Sequence, residues 1–324
     1  MQLALSSKDK LVLQALEANS RQTLKEIGKT AGLSGEGVEY RLNKWRENGF
    51  VSKTFADPNL SKLGLKTYRL YLKMGNLSEK IEKKLQKEFL ELPGIYWLAI
   101  TSGQWDYLLR FTLKDETSFK KIIETILERY GQYIESKDFV ISSYQTYCPA
   151  TYLTGSSRAS PSPDNAAELV DIDAIDRKIL FYLYENSRIP TTKLASLLNI
   201  SPDAVQYRLK KLISAGVIDK FSCWLDRSLL GYNYYKVFFT FQYFTPSEET
   251  EFLDYCKNHP NVVYINRVIG NWDIEVDFDA KNEEELYKMI KTMRNKFNKI
   301  IKSNYSLLII KNYLVNPFEK TLDF

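Results

Sequence analysis

The sequence aligns with itself at an offset of 167 residues. Asn19-Ser20-Arg21 meets Asn186-Ser187-Arg188. Ser34, Val38, Tyr40-Arg41-Leu42, Lys44 and Gly49 meet Ser201, Val205, Tyr207-Arg208-Leu209, Lys211 and Gly216. Leu63-Gly64 meets Leu230-Gly231, and Pro93 meets Pro260. Gly103-Gln104-Trp105-Asp106 meets Gly270-Asn271-Trp272-Asp273. One register serving from the first helix to beyond residue 106 excludes large insertions and means that one folding unit occurs twice. A length of 324 residues accommodates two to four domains.

Each copy opens on three short helices. In the second copy, Ile172, Ile175, Ile179, Leu180 and Leu183 fall at helical spacing. Thr191 or Thr192 is placed to cap a second helix carrying Leu194, Leu197 and Leu198. Asn199-Ile200 turns the chain, and Ser201 caps a third helix with Pro202 at its first position, where no amide hydrogen is needed. Gly216 stops that helix, and a strand runs from Val217 to Leu225. The first copy reads the same way: helices over 7–19, 24–32 and 34–48, then a strand from Phe50 to Phe55. This is the helix-turn-helix pattern, whose last helix enters the DNA major groove. On a helical wheel Val205, Leu209 and Leu212 face inward, as do Val38, Leu42 and Trp45. Asp203, Gln206, Tyr207, Lys210 and Lys211 point away, as do Glu36, Glu39, Tyr40, Asn43 and Lys44. The expected DNA-contacting set is therefore Ser34, Tyr40, Arg41, Asn43 and Lys44 in one copy and Ser201, Gln206, Tyr207, Arg208, Lys210 and Lys211 in the other. Arg41 and Arg208 lie beside the buried edge of their helices, so they suit either a phosphate or an ion pair with a neighbouring helix. The strand after each third helix is expected to be a wing.

Beyond Leu63-Gly64 strand and helix signals alternate: strand Thr67–Met74, helix Ser78–Leu92, strands Gly94–Thr101 and Asp106–Leu113, helix Glu116–Tyr130, strand Ile134–Tyr147. The second copy repeats the order with Tyr234–Phe244, Ser247–Asn258, Val262–Ile269, Asp273–Ala280, Glu283–Lys299 and Ser303–Val315. This β-α-β-β-α-β order predicts a ferredoxin-like antiparallel sheet with both helices on one face. The fold class expected is α+β, with boundaries at 1–60, 61–153, 171–227 and 228–324. A linker over 154–170, TGSSRASPSPDNAAELV, joins the halves.

The residues Asp176, Ile179, Leu180, Leu183, Asn186-Ser187-Arg188, Leu194-Ala195, Ser201, Val205, Arg208, Leu209, Leu212 and Gly216-Val217-Ile218 form a run that resembles the Lrp/AsnC (feast/famine) transcription regulators. The ferredoxin-like module resembles the effector-binding and oligomerising domain of that family, and the G-x-W-D turns resemble its G-x-[YW]-D signature. The resemblance implies double-stranded DNA as partner. It also implies a small-molecule effector such as an amino acid, near Gly103, Asp106, Gly270 and Asp273, although a hairpin glycine followed by a capping aspartate explains the turn as well. Family members pair through this module, so the fused chain is expected to act as its own pseudo-dimer, with a homo-oligomer as further assembly. A second reading is an enzyme: siroheme decarboxylases of alternative haem biosynthesis share the winged-helix and ferredoxin-like design as pairs of related subunits.

Charge permits nucleic-acid binding without demanding it. The chain is net +5. Residues 1–160 hold 24 basic against 18 acidic residues, and residues 161–324 hold 21 against 22. Part of the excess is 80–87, KIEKKLQK, read as a solvated helix face. No apolar run approaches the ~20 residues of a membrane span. The start, MQLALSS, lacks a signal peptide's basic end and apolar core. Cys148, Cys223 and Cys256 are widely spaced, which fits a reducing cytosol and no thiolate metal site. One histidine, His259, precedes Pro260 at a helix end. No catalytic team, cofactor motif or metal cluster is expected.

Overall fold

The computed structural model describes residues 2–148, 151–154 and 168–319, so most of the predicted linker, 155–167, lies outside the described residues. The chain forms two compact units, and neither is one sequence half. One gathers both helix-turn-helix modules and the other both ferredoxin-like modules.

In the first unit α1 (Ser7–Ala18), α2 (Leu24–Ala31) and α3 (Gly35–Glu47) make one module. Helices α7 (Ala174–Glu185), α8 (Thr191–Leu198) and α9 (Pro202–Ser214) make the other. A short helix, α6 (Thr151–Thr154), packs Leu153 into the first module's core. That core is Val12, Leu13, Leu16, Ile27, Val38, Leu42 and Trp45, and Ile179, Leu183, Leu194, Val205 and Leu212 are its counterparts. Gly32 (φ 62°) and Asn199 (φ 54°) occupy the same left-handed position after α2 and α8. Glycine and asparagine are the residues that take this conformation most readily, and it makes the sharp turn into the third helix. The cap expected at Thr191 or Thr192 is instead Pro190, without a side-chain bond. Thr191 is the first residue inside the helix, and its hydroxyl accepts from Arg21 of the other module.

The strands expected as wings also join the two modules. Strands β1 (Val51–Pro58) and β6 (Ile218–Leu225) pair with each other, antiparallel, with Thr54 opposite Cys223 and Phe55 opposite Ser222. A lone strand leaves its backbone groups unpaired, and its duplicate is the nearest matching edge. The pairing joins the two modules about a pseudo-twofold axis.

The second unit contains β2 (Lys66–Met74), α4 (Glu79–Leu90), β3 (Ile95–Ser102), β4 (Tyr107–Leu113), α5 (Glu116–Tyr130) and β5 (Ile134–Tyr147) from the first half. From the second half come β7 (Asn233–Phe241), α10 (Pro246–Asn258), β8 (Val262–Ile269), β9 (Ile274–Ala280), α11 (Glu283–Lys296) and β10 (Ile301–Leu314). Each half has the predicted β-α-β-β-α-β order. The two sheets join at both edges, β5 to β8 and β10 to β3, and close into an eight-stranded barrel in the order β10-β3-β4-β2-β5-β8-β9-β7. Closure leaves no sheet edge exposed. Alternate residues along each strand serve two environments. Leu70, Leu72, Leu109 and Phe111 meet Leu85, Phe89 and Phe119 of the helices, as Val237, Phe239, Val276 and Phe278 meet Phe252 and Met293. Their neighbours Tyr71, Leu108, Phe238, Trp105 and Trp272 turn to the barrel interior. No helix among the described residues is long and apolar enough to cross a membrane.

Candidate nucleic-acid interface

The third helix of each module presents the residues expected from the wheel. Tyr40 is 66% exposed and Tyr207 71%. Asn43, Lys44, Gln206, Lys210 and Lys211 are also exposed, and Val38, Leu42, Val205 and Leu209 are buried beneath them. Ser34 and Ser201 start these helices, each side-chain oxygen accepting from an amide three residues on, Gly37 and Ala204, at 3.1 Å. Their hydroxyls therefore fix the helix ends before any ligand arrives.

Arg41 and Arg208 take the ion-pair alternative. Arg41 donates through Nε to Asp9 on α1 at 2.9 Å and to the Gly37 carbonyl at 2.9 Å. Arg208 donates to Asp173 at 2.7 Å and to Asp176 at 2.8 Å, at the start of α7. Hydrogen bonding to Asp176 and Asp173 holds the guanidinium above its ordinary pKa. Both arginines thus tie the reading helix to the first helix of its own module.

The two modules meet through a motif that was visible in the sequence as a repeat without a role. The hydroxyls of Ser20 and Ser187, fully buried, bond each other at 2.7 Å. Arg21 donates to the carbonyls of Ser187 and of Ile189, the latter at 3.1 Å. In return Arg188 donates to the carbonyls of Ser20, at 2.6 Å, and Gln22, at 2.8 Å. Burial lowers both guanidinium pKa values, and Arg46 and Arg21 lower that of Arg188 further. The repeated Asn-Ser-Arg is the handshake across the pseudo-twofold axis. A small buried hydroxyl here lies opposite its own duplicate, a contact the repeat alone did not reveal.

In the second unit the G-x-W-D turns hold the halves together. A Cβ on Gly103 (φ 135°) would lie 2.7 Å from Cδ2 of Leu307, and one on Gly270 2.5 Å from Cγ1 of Val140. Leu307 and Val140 are themselves equivalent positions on the last strand of the opposite half. Trp105 and Trp272 are buried in the barrel. Asp106 accepts from the Met74 amide at 2.7 Å and Lys73 at 3.0 Å, and Asp273 accepts from the Phe241 amide at 2.7 Å. The four residues expected near an effector are thus engaged in chain geometry.

The barrel interior holds a charged cluster that sequence reasoning missed. Arg69 and Tyr71 of β2 donate to opposite oxygens of Glu275 on β9. Trp272 adds a bond to Glu275 at 3.1 Å, and Lys236 joins Glu275 at 3.1 Å to Asp277 at 2.5 Å. Arg69 also reaches Asn266 at 2.6 Å, and Tyr234 reaches Asp277 at 2.6 Å. Burial alone would raise the Glu275 pKa, but the charges of Arg69 and Lys236 and the bonds from Tyr71 and Trp272 bring it to about 2. Burial and the adjacent Glu275 carboxylate push the Tyr71 phenol well up. The available signal was an alternation of acids, Glu275, Asp277 and Asp279, in a strand buried on both faces.

A family model described as winged helix-turn-helix DNA-binding matches residues 5–52 and again 172–219. An uncharacterized HTH-type transcriptional regulator of Pyrococcus furiosus is 31% identical over 124 residues, 38% of this chain and 82% of that protein. The chain belongs to the Lrp/AsnC-like HTH-type transcriptional regulators. This regulator carries two family units in tandem. The HTH-type transcriptional regulator FL11 of Pyrococcus horikoshii is 27% identical over 117 residues, 36% of the chain and 76% of FL11. Over the whole length the fold matches the siroheme decarboxylase NirDL, solved with an iron-uroporphyrin III analogue. The TM-score is 0.66 at 12% identity, covering 97% of this chain and 95% of that one. At that identity the match concerns architecture, and architecture hosts different functions.

Proposed function

We propose that this regulator acts by binding duplex DNA through α3 and α9 together, as an intrachain pseudo-dimer on an imperfect palindrome. The observation that carries the reading is the pairing of two exposed, unlike reading faces by β1–β6 and the Ser20–Ser187 contact. Two third helices related by a pseudo-twofold axis suit two half-sites about one helical turn apart, roughly 34 Å, or a multiple of it. The faces differ in charge: Glu36, Glu39 and Lys44 on one, Asp203, Lys210 and Lys211 on the other. Tyr40, Asn43, Lys44, Gln206, Tyr207, Lys210 and Lys211 are the contacts we assign, and Arg41 and Arg208 hold the helices that carry them. Genomic footprinting tests this directly. A site with two unlike half-sites is expected; no protected duplex, or protection of one half-site only, refutes paired reading.

The role is regulatory rather than catalytic in this proposal. His259, the one histidine, ends α10, where its Nδ1 accepts from the Asn261 amide at 3.2 Å. Burial lowers its pKa, and its ring lies against Phe278 and Tyr255. It supports a turn, so it offers no obvious help to a tetrapyrrole reaction. Tetrapyrrole absorbance copurifying with the protein would favour the decarboxylase reading. A small-molecule effector is part of the proposal, tested by thermal shift with the twenty amino acids. The residues Gly103, Asp106, Gly270 and Asp273 gain no support as its ligands from their contacts.

A further inference from the structure

The barrel closes two sheets of common origin, yet their inward faces are not alike. The equivalents of Lys236, Glu275, Asp277 and Asp279 in the first half are Arg69, Leu108, Arg110 and Thr112. At these four positions one half brings two positive charges and no acid. The other brings one positive and three negative. Arg69 shows what the difference does. It is 7% exposed and its own half supplies Leu108 where a carboxylate would be needed. Its charge is met by Glu275 and its second nitrogen by Asn266, both from the opposite half. Arg110 instead stacks on Tyr96, with its guanidinium carbon 4.4 Å from the ring centre. Tyr71 donates to Glu275 across the same seam, where the equivalent in the second half is Phe238, which has no donor.

We propose that this lining is a pairing code: the first-half sheet takes the second-half sheet as its partner and rejects a second copy of itself. Like-with-like closure would enclose four positive charges without an acid at these positions in one case, and four net negative charges in the other. Buried charge without a partner is strongly unfavourable, and like-charge juxtaposition discriminates against wrong partners. The backbone edges do not discriminate, because β3, β5, β8 and β10 offer the same ladder to either partner. The code therefore lies in the side chains. It selects against like-with-like pairing between copies of this chain, and so keeps the two unlike reading helices on one pair.

The test starts from the folded full chain with a protease site placed between residues 155 and 167. The cut protein is mixed with an isotope-labelled sample, unfolded, refolded and counted by native mass spectrometry. Unlike pairs should exceed like pairs by at least about tenfold. A statistical mixture of the three pairings overturns the proposal. Should the cut protein fail to refold, the uncut chain decides through a double-mutant cycle. Glu275→Leu should lower the melting temperature by roughly 10 °C, because it leaves the buried Arg69 without a carboxylate, and Arg69→Met by less, because Lys236 still reaches Glu275. The double variant should recover at least half of the Glu275→Leu loss. Additive losses overturn the proposal, since they mean that the two charges do not compensate each other across the halves.

Discussion

Replacing Arg208 separates support of the reading helix from contact with DNA. Arg208 is 24% exposed and its acceptor Asp176 is 1% exposed, with the second oxygen of that carboxylate lacking a partner. Arg208→Ala leaves this carboxylate buried without its cation. A group so stranded costs roughly 2–4 kcal/mol, below the figure for a fully buried pair because Arg208 is partly solvated. For a unit of this size that corresponds to a fall in melting temperature of roughly 6–15 °C. Arg41→Ala is the internal control. Its partner Asp9 is 18% exposed and is held independently by Ser6, so the loss should be that of a surface pair, about 0.2–1 kcal/mol. Calorimetry of the two variants gives the stability difference. Fluorescence anisotropy with a fixed duplex between 50 and 200 mM salt gives the second readout. A phosphate contact contributes about 0.9 to the slope of log affinity against log salt, so neither arginine should change it. An Arg208→Ala protein that melts with the parent yet loses a unit of slope would refute the structural role. Arg208→Lys, which keeps the charge but not the paired geometry, should fall between.

Lys210→Ala and Lys211→Ala should each lower the salt slope by about one unit while leaving the melting temperature within a degree or two. Acid titration should weaken the barrel unit. The Glu275 pKa is depressed to about 2 in the fold, so its contribution is present above the unfolded value near 4.5 and is lost as pH falls through about 2. Melts that are unchanged from pH 5 to 2 would count against the charged cluster. Gly270→Ala should destabilise by about 1–3 kcal/mol, because the added carbon meets Val140 at 2.5 Å and the Phe139 carbonyl at 3.1 Å, and a β-branched neighbour in a strand has little freedom to move. Light scattering at low concentration should return the mass of a single chain; strand exchange between chains would appear as an obligate dimer.

The local patterns were legible because they depend on neighbours in sequence. Apolar spacing defined the helices, Ser201 defined the start of a third helix and Asn199 the turn before it, since capping and left-handed backbone are properties of a few consecutive residues. The 167-residue offset established that whatever one half folds into, the other folds into as well. The outward faces of α3 and α9 followed from the same helical period that buried Leu42 and Leu209.

The tertiary structure decided how duplicates meet. Nothing local in 51–58 distinguishes a wing from a strand that pairs with its copy at 218–225, because the choice depends on which edge is within reach. Nor does a serine or arginine at 20–21 reveal that its partner lies 167 residues away. Glu275 reads as a misplaced acid in an apolar strand until β2 brings Arg69 and Tyr71 against it. Sequence patterns report the face on which a side chain lies. The group opposite that face is fixed only when the sheets close, and here that group determines whether a charge is stranded or paired.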